Sequence, residues 1–236
     1  MKTNKSLRRG FTLVELLVVI VIIAALAGLT APMVIRQRKK ADQTEAVSNA
    51  RQIGLALFEF ENEYGSYPDA TTATAVTDAT GSTLTLGSTS SNDFFKQLLA
   101  GNFTQSEKIF YAKIPSAKKP DDNVKGDEAL KEGEVGFAYM MKGTTGFNAA
   151  GNPSRPLVVT PLFNNATDGT FDPAPFDSKA IVLRMDNSVT SINVKLDKKI
   201  NLGGTNSGLL TKGPETVWGD MTDTPTIKAP KIKSSN

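Results

Sequence analysis

The stretch from Phe11 to Ala31 limits what this chain can become more than any other. Residues 11–31 hold one charged side chain, Glu15, in an otherwise apolar run. At about 1.5 Å of rise per residue, a helix over this run is about 31 Å long, which matches the hydrocarbon core of a bilayer. The run can therefore span a membrane. Glu15 is out of place there, because an ionised carboxylate in lipid costs several kcal/mol unless it finds a partner. Lys2, Lys5, Arg8 and Arg9 precede the run, and Gly10 ends that basic patch.

Two ordinary explanations compete. A plain membrane anchor accounts for the apolar run but not for Glu15. A secretory signal accounts for the basic start, and Ala25-Leu26-Ala27 offers a small-x-small cleavage site. Glu15 would interrupt the core of that signal, however, and the run continues past the cut.

Taken together, Arg8-Arg9-Gly10-Phe11-Thr12-Leu13-Val14-Glu15 and the apolar run resemble the N-terminus of type IV pilins and type II secretion pseudopilins. The resemblance is clearest over residues 6–68 and weakens beyond. It implies that a prepilin peptidase cuts after Gly10 and that the new N-terminal residue, Phe11, is methylated. Thr12, Leu13 and Glu15 then stand in the motif's assembly positions. Glu15 would pair with the Phe11 amine of a neighbouring subunit, and that pairing would set the register between stems.

The chain has 236 residues, enough for one membrane helix and one small or medium domain. Its formal charge of +3 belongs to the leader, since removing Lys2, Lys5, Arg8 and Arg9 takes it to −1. A near-neutral body offers no broad footprint for nucleic acid, and none is expected as a partner. Cysteine is absent, so the exported domain has no disulfide and must rest on packing. Histidine is absent too, which removes the commonest general base and metal ligand.

Pro32 lacks the N–H that would reach the Gly28 carbonyl, which makes this pair a weak point in a continuous helix. The resemblance implies that helix is lost near this Gly28–Pro32 kink when a fibre assembles. Arg36, Arg38, Lys39 and Lys40 follow. Basic residues thus flank both ends of the span, so charge alone does not orient it. The resemblance puts the N-terminus in the cytoplasm and the head outside.

From Asp42 to Tyr64 the pattern is helical, with Ala46, Ala50, Ile53, Leu57, Phe60 and Tyr64 forming one apolar stripe. Val47, Gly54 and Phe58 widen it. A single helix from Phe11 to Glu63 would be about 80 Å long. It ends at Tyr64-Gly65-Ser66-Tyr67-Pro68, where Gly65 suits the left-handed C′ position. That ending resembles the one that closes this helix in major pseudopilins. Tyr67 is expected in the core.

Residues 70–91, rich in Thr, Ser and Ala, read as a solvated loop. Asn92 reads as the N-cap of a short helix over 93–100, and 118–134 as an exposed loop with one helical turn. Strand signals lie at Val135–Met141, Leu157–Phe163 and Ala180–Met185. A fourth, Ser188–Val194, follows an Asp186-Asn187 turn. Three or four antiparallel strands are expected to pack one face on the helix stripe. Trp218 is expected to dock on the domain.

The expected fold is therefore α+β and pilin-like, a long N-terminal helix packed on a small antiparallel sheet. Its parts are a leader (1–10), a transmembrane helix (11–31), an amphipathic continuation (32–64), a head (65–225) and a disordered tail (226–236). Acidic loops at Asp121-Asp122 and at Asp168–Asp172 have oxygen ligands of the kind calcium takes, but read as solvated turns. No metal, cofactor or catalytic residue is assigned, and the chain is not read as an enzyme.

The function implied by the resemblance is that of a structural subunit of a type IV pilus-like or type II secretion pseudopilus fibre. Its partners would be other pilin-like subunits, the prepilin peptidase, an inner-membrane assembly platform and membrane lipid. It would sit in the inner membrane before joining a periplasmic or surface fibre. The alternative is a membrane-anchored exported binding protein that joins no fibre. The first prediction concerns processing: intact mass of protein extracted from membranes should correspond to a chain starting at N-methylated Phe11. A chain starting at Gly28 would instead establish the secretory signal.

Overall fold

The structure is a computed structural model that describes residues 11–203 and 207–233, with Pro32 described by its backbone alone. The Gly10 half of the cleavage site lies outside the described residues. The chain divides into two compact units between Lys39 and Lys40.

Helix α1 spans Leu13–Tyr64 and stays helical through Gly28 and Pro32. In the first unit its apolar side chains are all exposed. In the second unit α1 is amphipathic, and Ala46, Ala50, Ile53, Leu57 and Phe60 are each no more than 1% exposed. Burying a large apolar side chain such as Ile53, Leu57 or Phe60 contributes about 1.5–3 kcal/mol. Phe58, expected to widen the stripe, is 50% exposed, beside Leu55 at 53%.

The second unit carries a five-stranded antiparallel sheet in the order β4-β3-β2-β1-β5. Its strands are β1 (Ala138–Lys142), β2 (Pro156–Thr160), β3 (Lys179–Arg184), β4 (Val189–Asn193) and β5 (Pro225–Lys228). The β3–β4 hairpin turns through Asp186 and a left-handed Asn187 at φ 59°, and the Asp186 carboxylate accepts the Ser188 N–H at 2.9 Å. This is the expected turn, and it meets α1 directly. A Cβ on Gly54 would lie 2.1 Å from Asn187 Oδ1 and 2.9 Å from Leu183 Cδ1. A larger residue here would require the Asn187 and Leu183 side chains to move. Farther along α1, the Gln43 amide donates to Ser191 Oγ at 2.7 Å, and Asn49 donates to the carbonyls of Lys108 and Tyr111.

The helix ends where its sequence says. Gly65 is left-handed at φ 79° and donates to the Glu61 carbonyl at 2.7 Å. Tyr67 is 1% exposed, and its N–H donates to the Phe147 carbonyl at 2.8 Å. The Tyr139 hydroxyl donates to the Pro68 carbonyl at 3.0 Å. The Tyr-Pro step is thus seated on β1 and on the turn that follows it.

Three expectations are corrected. Residues 70–80 are helix α2 (Ala70–Thr80), not loop, because Asp69 and Thr72 form a capping box and Val76 is buried. Helix α3 (Ser91–Ala100) is capped by Ser90 with Asp93, not by Asn92. The Asn92 amide instead donates to the carbonyls of Leu130 and Lys131, and its oxygen accepts the Lys231 N–H. The tail, expected to be disordered over 226–236, is not so over its described part. Pro225–Lys228 is an edge strand pairing with β1, and the Lys231 ammonium reaches Asp93 at 3.1 Å. The backbone needs of β1 explain this, since an unpaired edge next to a buried strand leaves its N–H and C=O groups unsatisfied. Trp218 docks as expected, fully buried, with its indole N–H on the Leu209 carbonyl at 2.7 Å.

Two predictions follow from this packing. Ile53→Asp should cost several kcal/mol in a urea melt of a chain starting at Gln37, because it buries an unpaired charge. Phe58→Asp in the same chain should change stability by no more than about 0.5 kcal/mol; equal losses would contradict the orientation of α1. The second concerns acid. Burial pushes the Asp93 carboxyl up, but the Thr89 hydroxyl, the Lys231 ammonium and the Thr89 and Ser90 N–H groups outweigh it and hold it at about 2. That lies below the ordinary value of about 3.9. The stabilisation is therefore complete above about pH 4 and lost as pH falls through about 2. The gap in melting temperature between wild type and Asp93→Asn should close over that window.

Candidate assembly interface

The start of α1 is built by two residues. The Thr12 N–H and hydroxyl both donate to Glu15 Oε2, at 2.8 and 2.7 Å, and Thr12 Oγ1 accepts the Glu15 N–H at 3.2 Å. This is a capping box, with Thr12 as N-cap and Glu15 three residues on. It satisfies two of the N–H groups that every helix leaves open at its start, a need that is acute in lipid. The spacing Thr-x-x-Glu is a helix-start signal legible in the sequence. Glu15 thus has a partner within its own chain.

Every large apolar side chain from Leu13 to Ile35 is exposed, from 46% at Val19 to 79% at Leu13. The Thr30 hydroxyl donates to the Leu26 carbonyl at 3.0 Å, so this polar group is satisfied inside the helix. Among the described residues α1 is the one helix long and apolar enough to cross a membrane. A Cβ added at Gly28 would meet nothing within 4 Å. Packing inside the described chain therefore does not demand glycine there. Phe11 is 75% exposed, next to the box.

A helix start closed by a Thr–Glu box leads into an apolar, exposed stem, and it is at this end of the chain that comparison with known proteins finds likeness. The family described as Prokaryotic N-terminal methylation motif matches residues 5–31. The chain is similar to the type II secretion system core protein G of Pectobacterium carotovorum subsp. carotovorum, 41% identical over 61 residues. That match covers 26% of this chain and 39% of the relative. The core protein G of Escherichia coli (strain K12) is 43% identical over 63 residues, covering 26% and 42%. The type IV major pilin protein PilA of Myxococcus xanthus (strain DK1622) is 38% identical over 61 residues, covering 26% and 28%. The chain thus spans less than half the length of the curated relatives it matches. No solved structure matches.

Proposed function

We propose that this chain is a structural subunit of a pilus-like fibre, of the type II secretion pseudopilus kind, cut after Gly10 and methylated on Phe11. The observation that carries the reading is the exposed apolar stem with a single carboxylate at its start. Lipid can receive the stem before assembly. After assembly, neighbouring stems would cover it, with van der Waals packing between helices replacing lipid contact. The likeness to core protein G and to a major pilin supports the same role, and the Tyr64–Pro68 helix ending favours the secretion form.

In this reading the Phe11 amine released by cleavage is the cation that Glu15 meets. Within one chain the Thr12–Glu15 box already engages the carboxylate, so a neighbour's amine adds a charge-assisted bond to a group held in position. A stem slipped by one turn, about 5.4 Å, leaves amine and carboxylate unmatched among apolar side chains. Thr12 holds the carboxylate, Leu13 begins the packed surface, and Gly28 with Pro32 forms the place where the helix can open. The partners are other pilin-like subunits, the peptidase and a membrane platform, with the N-terminus cytoplasmic and the head outside. The work is mechanical and not enzymatic.

The test is Glu15→Leu in cells that make the fibre. Cleavage and membrane insertion should persist, because neither needs the carboxylate. Cross-linking between stems should fall at least about tenfold, the effect of a lost interaction of about 1.4 kcal/mol. Wild-type assembly of this variant would sink the register role, and a chain that never cross-links in wild type would sink the fibre itself.

A further inference from the structure

The second unit holds three carboxylates on separate segments of the α3–β1 connection: Glu107, Asp121 and Glu134. One oxygen from each lies within 4.8 Å of the others. Glu107 is 0% and Glu134 1% exposed, while Asp121 faces solvent. Three such groups repel one another unless something positive sits among them.

The Lys96, Lys118 and Lys131 ammonium groups lie near them, yet one carboxylate oxygen stays without a hydrogen bond. Glu107 Oε1 accepts the Leu130 N–H, but Glu107 Oε2 is buried and has no hydrogen-bond partner. Glu134 Oε1 meets the Lys118 ammonium at 3.3 Å, and Glu134 Oε2 accepts the Lys131 N–H at 2.7 Å. Asp121 Oδ1 accepts the Asn123 N–H at 2.9 Å. A buried carboxylate oxygen without a partner is costly, and natural proteins keep few of them.

The neighbouring Asp122 shows how the cluster is brought together. Its carboxylate accepts the Ser106 hydroxyl at 2.8 Å and the Glu107 N–H at 2.9 Å, and meets the Lys108 ammonium at 2.7 Å. With φ at 65°, Asp122 closes the loop over the start of the 3-10 turn Glu107–Phe110. Asp121 is thereby set beside Glu107.

We propose that Glu107, Asp121 and Glu134 bind one calcium ion that staples the α3–β1 connection. The site departs from the expectation of no metal and gives Asp121, one of the acidic loop residues, a role. Calcium takes oxygen ligands at 2.3–2.6 Å in flexible geometry, so oxygens on opposite sides of it stand about 4.6–5.2 Å apart. Three carboxylate oxygens within 4.8 Å of one another can share one such ion. Magnesium needs about 2.0–2.1 Å and a near-ideal octahedron. Carboxylate oxygens keep a second lone pair after accepting an N–H, so Glu134 can hold its present donor and the ion together. The Lys118 side chain, 47% exposed, is free to swing toward solvent as the ion enters. A chain without cysteine gains from the ion a cross-link between three segments that no disulfide supplies.

The test uses the full chain in detergent, by calorimetric titration with calcium chloride and by thermal melting with and without it. One site is expected, with Kd in the about 0.1–1 mM range of extracellular calcium modules, and a melting temperature that rises with the ion. Glu107→Gln removes a ligand charge but retains an acceptor for the Leu130 N–H. It should weaken binding at least about tenfold while the ion-free melt holds or rises. Asp121→Asn, at an exposed position, should weaken binding likewise, so the proposal survives a folding failure of the first variant. No calcium heat in wild type, an equal response in wild type and both variants, or the same shift from magnesium chloride at matched ionic strength would each overturn it.

Discussion

The head depends on burying one stripe of α1. Ala46, Ala50, Ile53, Leu57 and Phe60 leave water together, and among the described residues of the unit no other helix presents so long an apolar edge. The small residues let other segments come close, and the large ones fill the space between them. Gly54 is the tightest case, since the β3–β4 turn sits where its side chain would be. Phe60 and Tyr64 continue the contact onto Phe103, with ring centroids 5.3 and 6.1 Å away. Aromatic pairs at such distances add to burial about 0.5–1.5 kcal/mol each.

The remainder of the head is fastened by polar groups that each serve two segments. Asp69 caps α2 and accepts the Gly146 N–H at 3.0 Å, while Gln97 donates to the Asp69 carbonyl and accepts the Thr72 hydroxyl. Asn92 and Asp93 do the same at the start of α3, reaching the 130–131 turn and the Lys231 tail. A buried polar group that loses its partner costs about 1–3 kcal/mol, more than a typical made bond contributes. Such two-way groups therefore define where irregular segments go. They do the work that disulfides do in many small secreted domains.

The first unit obeys a different constraint. From Leu16 to Leu29 its side chains are apolar and exposed on all sides, as suits a solvent other than water. Backbone groups inside such a segment must be satisfied by the helix itself, and the Thr12–Glu15 box and the Thr30 hydroxyl observe that rule. Glu15 thus has a local structural reason to exist alongside its proposed role between subunits. The two are compatible, because a carboxylate already oriented by Thr12 is a better acceptor for a neighbour's amine.

The sequence by itself determined the elements whose cause is local. The apolar run, the stripe of α1, the Gly65 stop and the Asp186-Asn187 hairpin all follow from side-chain period and turn chemistry within a few residues. The Thr12–Glu15 box belongs with them, since its two residues are three apart. The tertiary structure alone decided the pairings that span the chain. Pro225–Lys228 has no strong strand pattern, and becomes β5 because the edge of β1 needs partners. Asn92 was free to cap a helix until the tail and the 130–131 turn claimed its amide. Phe58 carries the same apolarity as Phe60, yet one is half exposed and the other buried, because the surrounding segments cover only one side of α1. Glu107, Asp121 and Glu134 are spread over 28 positions and converge only in the folded chain. Local rules act over one or two turns of backbone, whereas these contacts join residues whose separation in sequence says nothing of their distance in space.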